Sequence, residues 1–133
     1  MLSFIIPAHD EELLLGATLG SLHAAAVLIG ASYEVVVVDD ASTDSTASIA
    51  AANGARVISV NHRKIGAARN AGAQHATGAL LIFVDADTIV PLGPGSIYSQ
   101  PQRSLCVGLT VIDRHLVEKA SLAPFMVWWS VPY

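Results

Sequence analysis

The chain of 133 residues is 53% hydrophobic and 14% charged, enough apolar material for one domain with a buried core, which excludes a disordered chain and a multidomain enzyme. The net charge is −4 and no Lys/Arg-rich run occurs, so nucleic acid is not an expected partner. The lone Cys106 cannot close an internal disulfide, the first residues lack the basic region and cleavage site of a secretory leader, and no apolar run reaches the ~18 residues of a membrane span. Together these features predict a cytoplasmic setting.

The first predicted element is a strand over Leu2 to Ile6, followed by a helix over Glu11 to Leu28 whose Asp10, Glu11 and Glu12 suit the positive end of a helix dipole. A second strand, Glu34 to Val38, is apolar on both faces, as in a parallel sheet covered on both sides. Ser42 and Thr43 are candidate caps for a helix over Asp44 to Ala52 that closes at Asn53-Gly54. A third strand covers Arg56 to Val60, a third helix Ile65 to Ala76 closing at Thr77-Gly78, and a fourth strand Ala79 to Val84. This βαβαβαβ order predicts an α/β fold, an open and mostly parallel sheet with helices on both faces, whose strand carboxyl ends form a ligand crevice at the topological switch point.

The composition changes after Val90. Pro7 is the one proline before it, whereas Pro91, Pro94, Pro101, Pro124 and Pro132 all follow. Nine acidic residues stand against four basic ones before Pro91, but two against three after it. Residues 1–90 are therefore one region and 91–133 an irregular tail, with a loop over Leu92 to Pro101, a strand within Ser104 to Ile112 and a short helix over Arg114 to Ala120 as its predicted elements.

Side chains just past the strand ends bring acidic clusters to one rim: His9-Asp10-Glu11, Asp39-Asp40 and Asp85-Ala86-Asp87. Crowded carboxylates repel unless a cation or donor groups lie among them. On an extended backbone, Asp85 and Asp87 point to the same side, and two hard oxygen ligands suit magnesium or manganese completed by water and diphosphate oxygens. Against this stands a plain solvated turn. Asp39 and Asp40 follow the second strand, where a carboxylate is placed to accept from a nucleobase N–H, and Arg69, among the small residues of Gly66 to Gly72, is placed either in the crevice or on a solvated helix face. His23 and His75 read as helix-surface residues and His9 as crevice-lining; no zinc-like pairing, phosphate loop or nucleophile elbow appears.

The series Ser3-Phe4-Ile5-Ile6-Pro7-Ala8-His9-Asp10-Glu11, Val36-Val37-Val38-Asp39-Asp40-Ala41-Ser42-Thr43-Asp44, Gly66-Ala67-Ala68-Arg69-Asn70-Ala71-Gly72 and Phe83-Val84-Asp85-Ala86-Asp87 resembles the family 2 glycosyltransferases of the GT-A fold. The resemblance covers about the first 90 residues and corresponds to the nucleotide-sugar half of that fold. It implies that Pro7, Ala8 and Glu11 line the nucleoside pocket, that Asp39 contacts the base, that Arg69 lies near the nucleoside, and that Asp85 and Asp87 are the Asp-x-Asp pair at the ribose and the metal-bound diphosphate. A UDP-sugar is the donor it favours, and a sugar is transferred to an acceptor hydroxyl, commonly with inversion. His9 and Asp10 replace the aromatic and Asn usual in the first motif, and Ala41 replaces a common Gly.

The resemblance stops short of the catalytic base, which the family carries in its acceptor half; Asp113 and Glu118 do not stand in a matching motif, and no base is assigned. The family continues for roughly another hundred residues of a single domain, and the altered tail composition is the pattern a shifted reading frame or premature stop would leave. Two further readings stay open: a non-catalytic nucleotide-binding remnant or partner-dependent subunit, and a structural module. In the latter, Phe125, Trp128, Trp129 and Tyr133 pack on a missing half, another chain or a membrane surface rather than in an ordinary core.

Overall fold

The computed structural model describes residues 1–90 and 109–114. The chain runs β1 (Leu2–Ala8), α1 (Leu15–Ile29), β2 (Tyr33–Asp40), α2 (Thr46–Ala52), β3 (Arg56–Val60), α3 (Ile65–His75), β4 (Leu80–Val84) and β5 (Leu109–Asp113). The sheet order is β3-β2-β1-β4-β5. The first four strands are parallel, and β5 pairs antiparallel with β4.

Side-chain alternation splits the core into two layers. Phe4, Ile6, Val35, Val37, Ile82 and Val84 face Leu15, Leu19 and Leu22 of α1 and Ala50 of α2. Ile5, Val36, Val38, Leu81 and Phe83 face Ala68, Ala71 and Ala73 of α3. Helices thus cover both faces, which is why β2 and β4 carry unbroken apolar runs. Gly72 lets α3 lie against the sheet: a Cβ there would stand 2.9 Å from Cγ2 of Val38 and overlap Cγ2 of Ile5.

Strand pairing opens the crevice. The β1–β2 ladder runs from Leu2↔Tyr33 to Ala8↔Asp39, whereas the β1–β4 ladder stops at Ile5↔Phe83. Pro7, which has no N–H to give a ladder, lies beyond that stop. Between β1 and β4 the strand order also reverses, the switch point where open α/β sheets take their ligands.

Several local expectations need correction. Helix α1 begins at Leu15 and has no acidic residue in its first turn, because Asp10, Glu11 and Glu12 belong to a loop tied to the β2–α2 loop. Ser42 and Thr43 do not cap α2, which begins at Thr46; the Ser42 hydroxyl accepts from Asp10 N–H at 2.9 Å, and Thr43 donates its amide to Asp10 Oδ1 at 2.7 Å. Asp44 instead accepts the Thr46 amide at 2.9 Å. His23 is not a simple surface residue: its ring joins the Tyr33 hydroxyl at 2.8 Å to the Asn53 carbonyl at 2.7 Å. His75 is exposed and bonds within its own helix, to the Ala71 carbonyl at 2.8 Å.

Of the tail, β5 falls across the end of the expected strand. The loop over Leu92 to Pro101, nearly all of the helix after Arg114, and Phe125, Trp128, Trp129 and Tyr133 lie outside the described residues. No helix among the described residues is long and apolar enough to cross a membrane.

Candidate functional site

The crevice floor is the end of β1. Pro7 and Ala8 are buried there, and the chain then turns through Asp10 in the left-handed region (φ 50). This turn is held from the neighbouring loop: Glu11 N–H donates to Thr46 Oγ1 at 2.9 Å, Ser45 N–H to Glu12 Oε2 at 3.1 Å, and Glu12 N–H to Asp44 Oδ2 at 3.3 Å. His9 lies beside it, its Nδ1 2.6 Å from the Asp40 carbonyl and its Nε2 3.4 Å from Asp10 Oδ2.

The adjacent aspartates ending β2 do different things because alternation sends them to opposite faces. Asp40, wholly buried, accepts the amides of His62 at 2.7 Å and Arg63 at 2.9 Å on Oδ1 and that of Lys64 at 3.2 Å on Oδ2. It thereby anchors the loop that starts α3, a role the sequence left unassigned. Asp39 accepts only a long bond from Ser42 N–H, at 3.3 Å on Oδ1, among the hydrogen bonds of the described residues.

Across the switch point, Arg69 leaves α3 and its Nη2 meets Asp85 Oδ1 at 2.8 Å. Both side chains are largely enclosed, at 15% and 29% exposure, so Arg69 sits in the crevice and not on a solvated helix face. The pair Asp85 and Asp87 is not carried on an extended strand: β4 ends at Val84, and Asp85 to Thr88 form a turn closed by Thr88 N–H on the Asp85 carbonyl at 3.1 Å. Asp87 is exposed at its tip.

Electrostatics link these pieces. The Glu11 carboxyl is pushed above its ordinary 4.5, chiefly by burial and then by Asp87, Asp44 and Asp85, against a smaller lowering by His9. Asp44 is lowered, first by the Thr46 hydroxyl and then by the amides of Thr46 and Glu12. Carboxylates from β1–α1, β2–α2 and the end of β4 thus lie close enough to repel one another. No three His, Cys, Asp or Glu side chains among the described residues are gathered as a ready metal cage. The anionic excess around Glu11, Asp85 and Asp87 nevertheless fits a hard divalent cation that draws its remaining ligands from a bound phosphate group and water.

Asp113 pairs with Leu80 in the β4–β5 ladder, at the opposite end of β4 from Asp85, and so stands away from the crevice. Glu118 lies outside the described residues.

The mostly parallel sheet with helices on both faces matches the α/β fold of GT-A glycosyltransferases of known structure. The family model for glycosyl transferase family 2 matches residues 3–93, and the chain belongs to that family. It is 37% identical over 92 residues to the undecaprenyl-phosphate 4-deoxy-4-formamido-L-arabinose transferase of Klebsiella pneumoniae, covering 64% of this chain and 28% of that one. Among solved structures it resembles S. aureus TarS in complex with UDP-GlcNAc (TM-score 0.58, 31% identity, 65% of this chain and 26% of that one). It also resembles the mannosyltransferase PcManGT of Pyrobaculum calidifontis in complex with GDP-Man and Mn2+ (TM-score 0.57, 28% identity, 68% and 28%). The chain therefore spans less than a third of the length of each of these three proteins.

Proposed function

We propose that this chain binds a nucleoside diphosphate sugar in the crevice between β1 and β4 and serves its transfer to an acceptor hydroxyl. The observation that carries the reading is the enclosed Arg69–Asp85 ion pair at the switch point, next to the exposed Asp87 and facing a Glu11 carboxyl raised first by burial and then by its acidic neighbours, Asp87 foremost. The UDP-GlcNAc of TarS and the GDP-Man and Mn2+ of PcManGT, bound by domains of the same fold, support it.

In this reading Pro7 and Ala8 form the nucleoside floor and Glu11 its wall. Asp39, with Ser42 N–H on one oxygen, offers the other to a base N–H. Arg69 holds Asp85 in one rotamer, so that it meets the ribose in a fixed orientation. Asp87, with Asp85, would hold magnesium or manganese, which when bound neutralises charge on the departing diphosphate. Removal of the acceptor proton needs a base, and none of the residues named here is assigned that role.

Calorimetric titration with UDP, with and without Mn2+, tests the site. Binding is expected to need the metal and to be lost in Asp87→Ala; equal binding by both proteins overturns the metal assignment. The placement of Asp113 at the end of β4 away from the crevice favours a second reading, a nucleotide-binding subunit without turnover. Donor hydrolysis or transfer by the isolated chain would exclude it, and nucleotide binding without either would support it.

A further inference from the structure

Helix α1 carries two hydroxyls one turn apart, Thr18 and Ser21, that face the segment after β4 and not solvent. Thr18 is wholly buried in the apolar face of α1, a position where Val or Leu would pack without a polar atom to satisfy. Its hydroxyl donates to the Ala86 carbonyl at 2.7 Å, a better bond than the 3.2 Å contact to its own helix at Leu14. Ser21 donates to the Thr18 carbonyl at 2.9 Å, and its oxygen accepts the Val90 amide at 2.9 Å.

These bonds fall where the sheet stops supporting the chain. Among the described residues no ladder fixes the backbone beyond Val84, yet Ala86 and Val90 are buried in the α1 layer, at 4% and 2% exposure. The Ala86 carbonyl belongs to the peptide group joining Ala86 to Asp87. Holding it therefore fixes the plane from which Asp87 projects, while the Val90 bond fixes the far end of the same segment. A buried carbonyl left without its donor is costly, so the peptide would turn to find another.

We infer that Thr18, assisted by Ser21, is a positioning residue that sets the direction of the Asp85–Asp87 pair towards a diphosphate-bound cation. This rests on the donor-site reading above. Partners of metal-binding groups that are not themselves ligands typically change metal affinity by about 10- to 100-fold.

The test compares Thr18→Val, Thr18→Ser and Ser21→Ala in the full chain, with Tyr33→Phe as a control that removes a hydrogen bond between α1 and β2. The readouts are Mn2+-dependent UDP affinity and amide hydrogen exchange at Thr88 and Val90. Thr18→Val is expected to weaken UDP binding about tenfold and to speed exchange at both amides, Ser21→Ala to speed exchange at Val90, and Thr18→Ser to keep the native values. Tyr33→Phe is expected to keep native affinity whatever its melting temperature. Native affinity and native exchange in Thr18→Val overturn the inference, as does an affinity loss in Tyr33→Phe that matches its loss of stability. If the unmodified chain binds no UDP, the donor-site reading falls separately. Exchange then decides alone: unchanged protection of Thr88 and Val90 in Thr18→Val overturns the clamp. Should Thr18→Val not fold, unchanged protection of Val90 in Ser21→Ala overturns it instead.

Discussion

The two ends of the sheet solve the same problem, how to leave a strand and enter a helix or the reverse, by opposite means. At the amino ends of the strands, α1 and α2 hand over to the next strand through Gly30 (φ 73) and Gly54 (φ 79), residues that adopt this conformation without cost. At the carboxyl ends, the turns after β1, β2 and β3 place Asp10 (φ 50), Ala41 (φ 57) and Arg63 (φ 55) in the same region. Side chains there cost about 1–2 kcal/mol each. Among the described residues, this strain thus falls on the rim with the crevice, where side chains are worth keeping.

Charge follows the same division. At the amino-end rim the Glu34 carboxylate is matched by donors: Ser3 Oγ at 2.6 Å, Thr77 N–H at 2.6 Å, Thr77 Oγ1 at 3.1 Å and Arg56 Nη2 at 3.7 Å. Ser3 in turn accepts Gly78 N–H at 2.8 Å, and Arg114 donates Nε to the Gly78 carbonyl at 2.9 Å and Nη2 to that of Ala76. At the crevice rim, acids gather around Glu11 with less compensation. A saturated rim serves the fold, and an unsaturated one is open to a ligand.

Substitutions can break this contrast, the largest first. Gly78→Ala would bring a Cβ to 2.5 Å from Ser3 Oγ and 2.6 Å from the Met1 carbonyl, and a loss of about 3 kcal/mol is expected in urea unfolding. Asp40→Asn keeps the side-chain volume but removes the charge that gathers three amides; a loss of about 2 kcal/mol is expected, with faster exchange at His62, Arg63 and Lys64. Native stability in this variant would show that the amides find other acceptors.

Glu34→Gln is expected to cost about 1 kcal/mol near neutral pH. Burial alone would raise the Glu34 carboxyl, but the bonds from Ser3 and Thr77 and the charge of Arg56 outweigh it and leave the pKa below the ordinary 4.5. A lowered folded value means that its stabilisation is complete above that ordinary value and is lost as pH falls through the folded one. Melting curves of the two proteins should therefore converge in acid and separate again above about pH 5; a constant gap would refute the assignment. The smallest effect runs the other way: Ala41→Gly relieves the left-handed Ala41 and, after the extra chain entropy of Gly, is expected to stabilise by about 0.5–1 kcal/mol in the same unfolding assay.

Much of the first region was legible because its signals are local. Arg56 to Val60 was expected and found with the same limits, since β-branched residues bounded by Gly54 and Asn61 leave little choice. β1 and β2 run two residues further than expected, to Ala8 and Asp40, because Pro7 and the two aspartates are poor strand formers held in place by cross-strand pairing at Pro7↔Val38 and Ala8↔Asp39. What composition and spacing could not give are bonds between loops distant in sequence. Asp10 with Ser42 and Thr43, and Asp40 with residues 62–64, turned supposed helix caps and a spare acid into ties between neighbouring loops. The only hint was Asp40 itself, an aspartate following a strand apolar on both faces, where a carboxylate must be satisfied or neutral.

One consequence of Asp40 reaches beyond stability. A helix opening beside such a crevice is the usual seat for phosphate oxygens in dinucleotide-binding folds, because its first amides are vacant. Here the three amides that lead into α3, those of His62, Arg63 and Lys64, are already taken by a carboxylate of the protein's own. On the proposed reading, a visiting diphosphate must bring its own counter-charge, and the grip of this chain on a nucleotide follows the free concentration of divalent ions in its surroundings.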